Sequence, residues 1–75
     1  MVLYFWRGER LKAKRKMQGY TAKKLAQKIG THHNHIALWE RDESEPFGAH
    51  LVALCEILKT EPRALYECHI DMMKY

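Results

Sequence analysis

Apolar residues recur along this chain at spacings of three and four, the period that lines up one face of an α-helix. The clearest run is Ala22, Leu25, Ala26 and Ile29, at i, i+3, i+4 and i+7. Thr21 stands before it as an N-cap, its hydroxyl placed to accept an unpaired backbone N–H, and Gly30 stands after it as a stop. A further helix is predicted to follow almost at once, starting at Thr31 or His32 and running to about Arg41, with only Ile36 and Trp39 turned inward. The polar stretch DESEP, Asp42 to Pro46, reads as a turn. Beyond it Leu51, Leu54, Cys55 and Leu58 form the stripe of another helix.

The two ends are less sharply patterned. A first helix is predicted from roughly Trp6 to Gln18, rich in Arg, Lys and Ala, with Leu11 as its main inward anchor and Tyr4 two turns earlier on the same side. The apolar stretch VLYFW just before it is the one place where a strand competes with a helix. Thr60, Glu61 and Pro62 punctuate the chain, and proline suits a first helical turn. A last helix is then predicted to carry Leu65, Cys68, His69 and Met72 inward, again at i, i+3, i+4 and i+7. Together these elements describe one all-α, compact five-helix domain spanning residues 1–75. The terminal segments MVLYFW and HIDMMKY exceed that core, and they are expected to wrap it or to offer a contact surface.

Composition narrows the class. A chain of 75 residues with 47% hydrophobic content is one small globular domain. Two cysteines, Cys55 and Cys68, are too few for a disulfide framework, and their helical spacing predicts buried free thiols in a reducing cytoplasm. MVLYFW is too short for a signal-peptide core, and no run approaches membrane-spanning length. A cytoplasmic protein without a membrane partner is expected. The net charge of +4 hides an uneven layout: Arg7 to Lys28 holds nine basic residues and one acid, and the rest four basic and eight acidic. Such a positive amino-terminal third suits a polyanion, most often nucleic acid.

The informative unit is the second helix, the glycine turn and the third helix, about residues 21–41. Two short helices joined by a glycine turn pack steeply, so that one braces across a phosphate backbone while the other offers its outer face to the major groove. The small Ala26 suits that crossing. With Ile36 and Trp39 inward, Asn34 and Leu38 should project most directly outward, flanked by His35, Ala37 and Arg41, with His32 and His33 at the leading end. Asn can pair bidentately with adenine, His can donate to guanine, and Leu or Ala can meet a thymine methyl.

The runs LAQKIG (Leu25 to Gly30), GERLKAKRK (Gly8 to Lys16), WERDESEP (Trp39 to Pro46) and LVALCEILKTEPRALYE (Leu51 to Glu67) resemble the Cro/CI-type (XRE) helix-turn-helix domains of lambdoid phage repressors. The resemblance spans about Gly8 to Glu67. It implies that His32, His33, Asn34, His35 and Leu38 face bases or flanking backbone and that Thr21 and Arg41 serve the phosphates; Ala37 is expected beside the base-facing group, and Arg10, Lys23, Lys24 and Gln27 are expected to add phosphate contacts. It also implies that Arg15 pairs with Glu40, tying the first helix to the third. By the same resemblance the chain should bind a pseudo-palindromic operator as a homodimer, in a prokaryotic or phage-infected cell. It would be either the amino-terminal domain of a larger repressor or a small Cro-like protein.

Three departures stand out. Ala22 occupies a position where the family often has a phosphate-gripping glutamine. His32 is a poor N-cap type, so Thr31 is expected to cap the third helix instead. The loop carrying Asp42, Glu43 and Glu45 is acidic where some relatives are basic.

Other chemistries find less support. His32 and His35 are one turn apart, a workable ligand pair, but structural zinc takes four ligands and His50, His69, Cys55 and Cys68 show no spacing that would complete the set. No metal, no cofactor and no enzymatic activity are expected, since neither a nucleophile–base arrangement nor a phosphate-binding glycine loop occurs. Free histidines titrate near pH 6.5, so acidification is expected to tighten a phosphate complex. The rival class is a protein-interaction module whose helix-turn-helix is masked by an antirepressor or a toxin-like partner. It draws on the apolar termini.

Overall fold

A computed structural model describes residues 1–70 of the chain. Five helices follow one strand and precede another: β1 (Val2–Trp6), α1 (Gly8–Met17), α2 (Ala22–Ile29), α3 (His33–Glu40), α4 (Gly48–Ile57), α5 (Pro62–Leu65) and β2 (Tyr66–Ile70). The expectation of an all-α fold is therefore corrected to five helices plus a two-stranded sheet.

The helices close on one apolar core made of Leu11, Leu25, Ala26, Ile36, Trp39, Leu54, Cys55, Leu58 and Leu65. Each helix contributes at least one of these: α2, α3 and α4 from stripes of three- and four-residue spacing, α1 and α5 through the single anchors Leu11 and Leu65. No buried polar residue interrupts the cluster among the described residues. Burial pushes the Cys55 thiol pKa up, which keeps it in the neutral form suited to an apolar site.

The predicted last helix stops at Leu65, after one turn. Tyr66–Ile70 is extended and pairs antiparallel with β1, in the register Val2↔Ile70, Leu3↔His69, Tyr4↔Cys68, Phe5↔Glu67 and Trp6↔Tyr66. Cys68 is exposed on this strand, not buried on a helix; Met72, named with it, lies outside the described residues. At the other end α1 begins at Gly8, and Tyr4 belongs to β1. Of the ribbon, Trp6 and Tyr66 pack against the core, while Val2, Leu3, Tyr4, Phe5 and Ile70 are exposed; the rest of HIDMMKY, residues 71–75, lies outside the described residues.

The base of the ribbon is anchored by polar contacts. The Arg7 guanidinium donates to Glu67 Oε1 through Nε at 3.0 Å and Nη2 at 2.7 Å, and His69 Nε2 contacts Glu67 Oε2. Those two partners hold the Glu67 carboxyl down at about 2, His69 first and Arg7 second, well below the usual carboxylate range. Tyr66 donates its hydroxyl to Glu45 Oε2 at 2.6 Å, and burial together with that carboxylate raises the phenol pKa. Glu45 thus ties the acidic loop to the ribbon.

Candidate nucleic-acid interface

The helix-turn-helix is built by local chemistry. Thr21 is extended and its Oγ1 accepts from Lys24 N at 3.0 Å, so it caps α2. At the other end Gly30 takes the left-handed conformation, φ 77° and ψ 38°, which a side chain would resist. Its N–H and that of Thr31 both donate to the carbonyl of Ala26, the latter at 2.9 Å. The chain reverses there with the Ala26 carbonyl doubly satisfied, and only Thr31 and His32 separate Gly30 from α3.

His32 is the residue that caps α3. It is extended, and its Nδ1 accepts from Asn34 N at 3.1 Å. The expectation that Thr31 would take this role is corrected: Thr31 Oγ1 lies 2.6 Å from His35 Nδ1 instead. A backbone N–H can only donate, so His32 Nδ1 carries a lone pair and the ring proton sits on Nε2. The His32 and His33 rings stack with centroids 4.3 Å apart. His35 lies against Trp39 at 6.1 Å, and His50 from α4 approaches the same indole at 5.5 Å.

Between α2 and the start of α3 lies a notch of about 280 Å³ lined by Lys23, Ala26, Gln27, Thr31, His32 and His33. Its polar lining is one ammonium, one amide, one hydroxyl and two imidazoles, with no acid. A concave, cationic, donor-bearing surface of this size suits a phosphate group. Lys24 and Lys28 stand exposed on the same helix.

The candidate base-facing residues divide by exposure. His32, His33, Asn34 and His35 are exposed, whereas Ala37 and Leu38 are half-buried. Leu38 therefore does not project freely outward, and the open part of α3 is its first turn. Arg41, past the end of α3, donates to Glu43 Oε2 at 2.6 Å, an exposed pair whose partner a phosphate could replace. Arg10 is half-buried, its Nη1 donating to the carbonyl of Tyr66 at 2.6 Å. Among the described residues no three His, Cys, Asp or Glu side chains converge where a metal ion could sit.

The back of α3 is fixed to the rest of the molecule by contacts that differ in kind. Ile36 and Trp39 are buried in the core. Arg15 grips Glu40 with two bonds, Nε to Oε2 at 2.6 Å and Nη2 to Oε1 at 3.1 Å, and its Nη1 donates to the carbonyl of Tyr20. The Trp6 indole N–H donates to the carbonyl of Trp39 at 2.7 Å, so the ribbon reaches the last turn of α3. Gly8 packs directly against that turn: a Cβ there would lie 2.3 Å from the Trp39 carbonyl oxygen and 2.5 Å from that of Glu40. The N–H of Gly8 is satisfied by Asp42 Oδ1 at 2.7 Å, which caps α1 in place of Arg7.

From sequence, Trp6, Gly8 and Asp42 have no expected part in fixing α3 or capping α1. A glycine opening a segment otherwise full of helix formers was a readable sign of a close approach. The tryptophan and the aspartate gave no local sign, because both act across more than thirty residues.

Comparison with known proteins agrees with this architecture. A family model for helix-turn-helix domains matches residues 11–65. The regulator DicA of Escherichia coli is 38% identical over 55 residues, covering 73% of this chain and 41% of that protein. The repressor protein C2 of Salmonella phage P22 is also 38% identical over 55 residues, covering 73% of this chain and 26% of its own length. The chain thus spans less than half of either curated relative. Among solved structures, P22 c2 repressor bound to a synthetic operator superposes with a TM-score of 0.74 at 38% identity, covering 77% of this chain and 88% of that one. SinR bound to DNA gives 0.72 at 29% identity, covering 77% and 97%. The chain belongs to the Cro/CI-type (XRE) helix-turn-helix family, a family of DNA-binding domains of transcription regulators.

Proposed function

We propose that this chain reads double-stranded DNA sequence-specifically as the DNA-binding part of a phage-type transcriptional repressor, working in the cytoplasm as a dimer on a pseudo-palindromic operator. The observation that carries the reading is the first turn of α3. It is open on one side, where His32, His33, Asn34 and His35 are exposed, and it abuts the cationic notch. Its other side is pinned by Ile36, Trp39 and the Arg15–Glu40 pair. A rigid helix with donors and acceptors at its leading end is the arrangement that reads major-groove base edges, while Thr21, Lys23, Lys24 and Gln27 on α2 hold the flanking phosphates.

Substitution separates the two roles. Asn34→Ala should cost about 1–3 kcal/mol at its own base pair and relax preference there. Lys24→Gln should weaken all duplexes alike and lower the salt slope by about 0.9. Titrations of both variants against salt on specific and scrambled duplexes test the division. Equal losses on both duplexes for Asn34→Ala would remove the base-reading role.

A second reading has one observation behind it: a solved complex of SinR with SinI shares this fold with a TM-score of 0.71. A protein partner such as an antirepressor, occupying surface outside α3, is compatible with DNA reading and would act upon it.

A further inference from the structure

Five histidines occur in the chain, and their surroundings give each a different tolerance for a proton. His69 Nε2 contacts the Glu67 carboxylate, so a charge added there meets its opposite. His50, on α4, lies 5.5 Å from the Trp39 indole, whose face attracts a cation. His35 Nδ1 meets the Thr31 hydroxyl at 2.6 Å, and since a hydroxyl both donates and accepts, that contact survives in either state. The His33 ring stacks on His32 at 4.3 Å and, among the described residues, makes no hydrogen bond that depends on its charge. His32 is the exception. Its Nδ1 accepts from Asn34 N at 3.1 Å to close the first turn of α3, and a protonated Nδ1 has no lone pair left for that bond. Capping and protonation therefore compete for one pair of electrons.

Nothing nearby favours the proton in that competition. The imidazole stands at the N-terminus of α3, where unpaired backbone N–H groups carry partial positive charge. The titratable groups facing it are Lys23 from α2 and His33 from its own helix, with Gln27 and Thr31 in the same notch. No carboxylate is among the residues lining that notch. A proton on His32 thus meets an ammonium and a positive helix end, and a second proton on His33 would set like charges 4.3 Å apart.

We infer that His32 is a proton-operated latch on the reading end of α3: neutral, it closes the first turn and offers Nε2–H outward; protonated, it releases Asn34 N and frees the turn. Asn34 is placed to pair with a base edge, so the latch governs how rigidly that side chain is presented. Acid then has two opposed effects on DNA binding. Charge gained by His32, His33 and His35 favours phosphates of any sequence, while the loosened turn distinguishes less between sequences. The chain selects its sequence at neutral pH and holds DNA with less selection in mild acid. His32 acts here as a positioning residue. Its effect on DNA rests on the proposed reading by α3; the latch itself does not.

NMR spectroscopy of the nitrogen-labelled 75-residue chain without DNA, titrated from about pH 7.5 to about pH 5.5, tests the latch. At the upper end the His32 ring should show the Nε2–H tautomer. As it gains a proton, protection of the Asn34 amide, measured against its intrinsic exchange rate at each pH, should fall about fivefold, the typical contribution of a helix cap. His32→Asn, whose amide oxygen caps without titrating, should keep that protection level, and His33→Gln should respond as the wild type does. A neutral His32 ring with its proton on Nδ1, Asn34 protection indifferent to the proton, or an equal acid response in His32→Asn overturns the inference. For DNA, the probes are a duplex enriched from a randomised library and its scrambled counterpart. The ratio of their affinities should fall about fivefold over the same range in the wild type and stay level in His32→Asn. A level ratio in the wild type overturns the link to selectivity. Absence of a preferred duplex at any pH would defeat the reading by α3 and leave the latch decided by the NMR result.

Discussion

Arg15 and Glu40 form a two-bond ion pair that ties α1 to the last turn of α3, with side chains only 11% and 10% exposed. At that depth the pair is screened little by water, and each charge depends on the other for solvation. Removing one partner is therefore worse than removing both. Glu40→Ala should destabilise the fold by about 3 kcal/mol in urea denaturation, and the double replacement Arg15→Met, Glu40→Leu should recover most of that loss. Single and double variants of equal stability would mean that the pair holds nothing in place.

Gly8→Ala adds one methyl where the Trp39 and Glu40 carbonyl oxygens leave no room. Backbone atoms cannot swing aside as a flexible side chain would, so α1 and α3 must separate. The expected cost is about 2–4 kcal/mol, above the roughly 1 kcal/mol for Gly30→Ala, where the penalty is backbone strain alone at φ 77° with nothing nearby. Denaturation midpoints of the two variants, side by side, check the order.

Acid stability should depend on Glu67. Its folded pKa of about 2 lies below the ordinary carboxylate value of 4.5, so its contribution is present above pH 4.5 and fades as pH falls towards 2. Glu67→Gln should flatten that part of the profile of melting temperature against pH. An unchanged acid limb would show that His69 and Arg7 do not stabilise the ionised carboxylate.

His32→Asp should separate stability from binding. Aspartate is a better N-cap than histidine and its charge suits a helix N-terminus, so the fold should gain about 0.5–1 kcal/mol. The same charge beside the cationic notch would repel phosphate, and duplex affinity measured by fluorescence anisotropy should fall at least about tenfold. Stability and affinity moving together would contradict the placement of His32 against DNA.

Much of the helix-turn-helix was legible because its signals are local. Thr21, Gly30 and the run Ala22, Leu25, Ala26, Ile29 each act within one or two turns, and the structure has α2 and α3 within a residue or two of the expected bounds. Arg15 meeting Glu40 came from family resemblance, since no spacing rule joins residues twenty-five apart. The ribbon was missed for the opposite reason. Its strands lie at the two ends of the chain with no hairpin turn between them, so no local pattern announces the pairing. Leu65, Cys68 and His69 also match a helical stripe, and that coincidence favoured a helix where five residues are extended. His32 as a cap escaped because imidazole seldom plays that part, and the hydrogen bond of Arg10 depends on a carbonyl that only β2 brings near.

The most direct test of the account is selection from a randomised duplex library at physiological salt. The account predicts enrichment of an inverted repeat, its half-sites about one helical turn apart, and loss of that preference in Asn34→Ala. Retention of duplexes without any shared sequence, or an enriched repeat that Asn34→Ala reads equally well, would contradict the claim that the exposed first turn of α3 reads DNA.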